Sequence, residues 1–112
     1  MTIMPRPAPA ADTRLTAALQ SAVADELRHV RDHLEKLAML LVSDPYFIEH
    51  YCEELQSFDL LVQYADETAA VLDRLAQGSC SHSAIAPVRL GVVHQRLVDQ
   101  LAAVTGEGPP NG

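Results

Sequence analysis

Aromatic side chains are scarce in this chain: two Phe, three Tyr and no Trp make up 4% of 112 residues. A core without them must be aliphatic, and a hydrophobic content of 48% supplies the material, mostly Leu, Val and Ala. That mixture suits helices better than sheets. Strand signals are missing as well, since no stretch alternates Val, Ile, Thr or Tyr with polar residues between turn formers. Only two cysteines occur, Cys52 and Cys80, too few for a disulfide scaffold, and reduced thiols are expected. No apolar run approaches the roughly 20 residues of a membrane span. Residues 1–11 carry Pro5, Pro7 and Pro9 without the apolar stretch of a secretory signal. No membrane association and a cytoplasmic location are therefore expected.

Basic residues are also few: seven Arg and one Lys, a bias common in GC-rich bacterial genomes, against 15 acidic residues, for a net charge of -7. A nucleic-acid binder shows a basic stripe. Here Arg28, Arg31 and Lys36 are interleaved with Asp25, Glu26, Asp32 and Glu35. That pattern is a solvated helix face, and no nucleic-acid partner is expected.

What the chain does have is heptad spacing. Residues 1–11 read as a flexible Pro/Ala-rich arm, and Asp12 or Thr13 can cap a helix over about 13–42. Its apolar positions are Leu15, Leu19, Val23, Leu27, Val30, Leu34, Leu37 and Leu41; from Val23 onward the spacing alternates three and four, as in a helix packed lengthwise on another. Ser43-Asp44-Pro45 breaks the chain and restarts it, with Asp44 or Ser43 as cap and Pro45 at the first helical position. A second helix over about 45–77 places Ile48, Tyr51, Leu55, Phe58, Val62, Ala65, Ala69, Leu72 and Ala76 on one face, and Gly78 stops it. The short connection makes the two antiparallel neighbours. Pro87 starts a third helix over about 87–104, with Leu90, Val93, Leu97, Leu101 and Val104 inward. Residues 106–112 read as a disordered tail. The expected fold is thus all-α: a single domain over 12–105, built as a long antiparallel helical hairpin plus a shorter third helix.

Length exposes a deficit. The first two helices each run about 45 Å and the third about 27 Å. Starting from the open end of the hairpin, the third helix can cover the N-terminal half of the first helix and the C-terminal half of the second, but not the turn half. There Leu37, Leu40, Leu41, Phe47, Ile48, Tyr51 and Leu55 lack a third-side cover, and a groove of that kind is usually an interface. Ala22 and Leu40 on the first helix, and Phe47 and Leu61 on the second, widen the apolar faces beyond what a two-helix seam needs. A homodimer that completes a helical bundle is the expected remedy, since two-fold homodimers are the commonest soluble oligomers. A separate protein partner docking on a helix face is the other candidate.

Five histidines raise a metal alternative. Glu26 and His29 have the Glu-x-x-His spacing of carboxylate-bridged di-iron bundles, and His33 follows one turn later. On the second helix His50 and Glu54 stand four apart. His33 and Glu54 lie at one height across the hairpin and could pair. Side chains lean toward their own helix N-terminus, however, so the two sets diverge, and no second Glu-x-x-His exists in the chain. The set Glu26, His29, His33, His50 and Glu54 is kept as a metal candidate, while no cofactor is expected. Cys80-Ser81-His82 is too short for a zinc motif. No Gly-x-Ser-x-Gly elbow, phosphate loop or His-Glu-x-x-His is present. An all-α chain with few loops has little room for a substrate pocket, which argues against an enzyme. The function expected is a small helical interaction or regulatory module that self-associates, with a metal-binding or redox bundle as the alternative.

Overall fold

A computed structural model of the chain describes residues 8–106, with side chains from residue 11. It is all-helical, with no strand among the described residues. Five helices follow in order: α1 (Ala8–Val42), α2 (Pro45–His50), α3 (Cys52–Ala76), α4 (Ser81–Ile85) and α5 (Gly91–Thr105). None of them is long and apolar enough to cross a membrane. The long α1 pairs with α3 as the hairpin expected from the sequence. Most of the arm and tail lies outside the described residues.

Three element boundaries differ from expectation. Helix α1 begins at Ala8 rather than near Asp12. Ala8, Ala10 and Ala11 are strong helix formers, and Pro9 stands in the first turn, where a missing N–H costs no helical bond. The second helix is broken at Tyr51, which has φ -129° and ψ 42°. Residues 45–51 are Pro, Tyr, Phe, Ile, Glu, His and Tyr, mostly weak helix formers. They are held instead by stacking of Tyr46 on His50 at 3.9 Å and Phe47 on Tyr51 at 4.9 Å. Asp44 accepts from the Tyr46 N–H at the start of α2, and Glu53 and Glu54 favour a fresh start at α3 through the helix dipole.

The third difference is at Pro87, which does not open the last helix. After Gly78, at φ +102°, the Ser79 N–H reaches the Arg74 carbonyl and the Gly78 N–H that of Leu75, closing α3 as a Schellman motif. The chain then folds back as the short α4. Its continuation stays extended because the Glu67 carboxylate on α3 accepts from the N–H groups of Arg89 and Leu90 at 2.8 and 3.0 Å. Helix α5 therefore starts at Gly91, just after the two residues that Glu67 holds, without a side-chain cap of its own. Arg74 of α3 donates to the Ala84 carbonyl at 2.7 Å. These two charged side chains fasten the returning segment, and Val71, Ala84, Ile85, Val88 and Val93 form the core beneath, flanked by Tyr64, Leu75, Leu90, Leu97 and Leu101.

The seam between α1 and α3 is rotated from the one expected on α1. Helix α3 presents the face anticipated, with Ala65 and Ala69 buried. On α1, however, the wholly buried residue is Ala24, and the less exposed positions beside it are Ala17, Gln20, Leu27, Arg31, Leu34, Ala38 and Leu41. This is itself an unbroken three-four repeat. Two observations account for it. Alanines on both sides let the helix axes come close. Arg28 bonds Asp73, and Arg31 bonds Asp66 at 2.6 Å, both across the seam. The third helix also fails to cover α1: α4 packs on α3 and α5 on α4, while α1 is packed by α3 and, at the turn, by α2. The result is an elongated layer of 75 × 38 × 16 Å, little thicker than one helix with its side chains.

Candidate functional site

Turning α1 about its axis leaves Leu15, Leu19, Val23, Val30 and Leu37 of the expected seam in the open, while Leu27, Leu34 and Leu41 stay in the observed one. Leu15, Leu19 and Leu40 are 69%, 65% and 70% exposed, and Val23, Val30 and Leu37 are also exposed. At about 100° per residue they form a ridge roughly a third of a turn round α1 from the α3 seam. Leu19, Val23, Glu26, Val30, His33, Leu37 and Leu40 keep a continuous four-three spacing along it. The cross-seam ion pairs of Arg28 and Arg31 lie on the other side of the layer, so the hairpin has a charged face and an apolar face. On α3, Leu61 points to the apolar side and is exposed. On the charged side, Ala38, Met39, Phe58 and Val62 line a shallow groove rimmed by Glu35 and Asp59.

Leu37, Leu40, Ile48 and Tyr51 are exposed, while Leu41, Phe47 and Leu55 are half-buried. The reason is the break at Tyr51, which lets α2 pack against both α1 and α3. Leu15 and Leu19, expected in a covered seam, lie instead on an exposed apolar strip. The sequence does carry a signal for this arrangement. Two interleaved repeats run along α1, one rich in Ala and one in Leu and Val, and Ala65 and Ala69 on the facing helix mark the small-residue repeat as the close-packed one.

The histidine and carboxylate candidates are on the surface. His29 Nδ1 lies 3.7 Å from Glu26 Oε2, both largely exposed. His33 Nδ1 is 2.9 Å from the His29 carbonyl, within its own helix, and is not turned to Glu54. His50 likewise meets the Tyr46 carbonyl at 2.9 Å. His50 and Glu54 sit on either side of the break at Tyr51, so their spacing of four no longer stacks them on one helix. Among the described residues no three His, Cys, Asp or Glu side chains come together as a metal site. Cys52 and Cys80 are free thiols, both exposed. The Ser83 hydroxyl, 3.2 Å from Cys80 Sγ, lowers the pKa of that thiol below its ordinary value, helped by the backbone N–H of Ser83.

No family model, no curated protein and no solved structure matches the chain.

Proposed function

We propose that this chain is a helical interaction module that works as a homodimer, two layers stacking by their apolar faces into a bundle, with scaffolding or control of a protein partner as its role. One observation carries the reading. No large apolar side chain of the described residues is fully buried, and half of the buried set is Ala: Ala24, Ala65, Ala69 and Ala84 beside Val71, Ile85, Val88 and Val93. A chain with 48% hydrophobic residues has spent little of that content on its own core. Large exposed aliphatic side chains lined up along one helix face favour an interaction site. Fully burying one large aliphatic side chain stabilises by roughly 1.5–3 kcal/mol, and each copy brings Leu15, Leu19, Val23, Val30, Leu37 and Leu40, 41–70% exposed, so roughly half of that value is gained at each. That total is of the order of, or above, the about 4–15 kcal/mol lost on association. The net charge of -7 opposes pairing only weakly along an elongated body at physiological salt.

Thermal unfolding across protein concentrations tests this. A dimer formed by folded chains gains stability by mass action, so its midpoint should climb as the protein is concentrated. A midpoint that stays constant from nanomolar to high micromolar concentration would overturn the proposal.

A further inference from the structure

We infer that the partner copy seats antiparallel along the α1 ridge, with the two-fold axis near Val30 and Glu26 of each copy facing His33 of the other. This rests on the homodimer proposed above and specifies its geometry. Reversed end for end, the ridge matches itself. Leu19 falls opposite Leu40, Val23 opposite Leu37, Glu26 opposite His33, and Val30 opposite Val30. A two-fold interface needs such self-complementarity. The two polar positions are what single out a second copy as occupant. In a parallel pairing Glu26 would face Glu26 and His33 would face His33, leaving like groups opposed. In the antiparallel one each acid meets a ring that can donate or carry a proton. Knob-into-hole packing shifts the register by up to one turn, about 5 Å, which a Glu side chain spans. All the residues concerned are open: Val30 is 51% exposed, and Glu26 and His29 are largely exposed. Helix α1 receives α3 about a third of a turn away and α2 at the turn, so among the described residues no helix packs along the ridge. Glu26 already stands 3.7 Å from His29 in its own chain, and the partner's His33 would join that pair.

Cysteine cross-linking tests the geometry in a Cys52→Ser, Cys80→Ser background, which removes two exposed thiols. Val30→Cys should give a covalent dimer in a glutathione redox buffer, and a mixture of Leu19→Cys and Leu40→Cys chains should form the mixed disulfide. A charge exchange provides a second readout that needs no disulfide. His33→Glu should weaken the dimer by at least about tenfold, because two pairs of carboxylates then oppose. Glu26→Lys combined with His33→Glu should restore wild-type affinity or better. A dimer by light scattering whose Phe47→Cys variant cross-links while Val30→Cys does not would overturn the α1 geometry and leave the homodimer standing. A double variant no better than His33→Glu would overturn the antiparallel pairing. A monomeric wild type would overturn both.

Discussion

The outer flank of α3 and the outer ridge of α1 are built from similar aliphatic residues and end in opposite conditions. On α3, Val71 is packed by Ile85, Val88 and Val93, and the covering segment is pinned by Glu67 and Arg74. On α1, Leu19, Val23, Val30 and Leu37 are exposed, and among the described residues no helix packs across them. Hydrophobicity alone did not decide which flank was covered. The difference is the polar fastening: α3 carries a carboxylate and a guanidinium aimed at backbone groups of the returning chain, and α1 spends its arginines on Asp66 and Asp73 across the seam. The covered flank is finished within one chain, and the bare one is where a second chain would finish the work.

The sharpest way to separate the flanks is to place the same charge on each. Val71→Asp buries an unpaired carboxylate at a position only 8% exposed, and should cost about 3 kcal/mol or more, lowering the melting midpoint by many degrees at every concentration. Val30→Asp, at 51% exposure, should leave helicity intact and abolish self-association; equal damage at both sites by circular dichroism would erase the distinction. Next in size is the seam. Ala69→Leu inserts three carbons where the wild-type residue is fully buried, and overpacking should cost about 1–3 kcal/mol, read as a fall in the denaturation midpoint. A neutral result would mean that α1 and α3 are not held close by their alanines.

Comparable effects probe the fastening. Glu67→Ala removes the acceptor for Arg89 and Leu90 N–H and should cost about 1.5–3 kcal/mol, the usual value of hydrogen bonding to a charged acceptor. Hydrogen exchange should speed up over residues 89–94, with α1 unaffected. The smallest effect belongs to Cys80. Its thiol ionises below its ordinary 9.0, chiefly through Ser83. The sign follows from a depressed folded-state value. The associated stability is present above pH 9.0, where the unfolded thiol is ionised, and is lost as pH falls through the folded-state value. Iodoacetamide labelling of Cys80 should therefore have its pH midpoint lower in the folded chain than in urea, and Ser83→Ala should narrow the gap without closing it, since the backbone N–H groups remain.

Much of this was legible beforehand, and the failures have specific physical causes. The hairpin, the turn at Asp44-Pro45 and the stop at Gly78 follow from local chemistry that acts over four or five residues. The inward face of α3 was also readable, because only one apolar stripe runs the length of that helix beside its α1 seam. On α1 two stripes compete, and periodicity alone favours the larger side chains. The choice went instead to Ala24 and to arginines that pair with Asp66 and Asp73, partners 35 and 45 residues away in sequence. The late start of α5 was hidden for the same reason, since the Glu67 that holds Arg89 and Leu90 lies 22 and 23 residues earlier. The break at Tyr51 could have been suspected from the run of aromatic and β-branched residues after Pro45. At the turn Leu37, Leu40, Ile48 and Tyr51 are exposed, and the exposed aliphatic strip continues along α1 to Leu15.

The central claim is that one chain leaves its bundle unfinished, and its most direct test is the mass in solution. Multi-angle light scattering on the purified wild-type chain at micromolar concentration should return twice the 12.2 kDa chain mass, falling to a single chain for Val30→Asp. A monodisperse wild-type species of 12.2 kDa with full helicity would contradict the account.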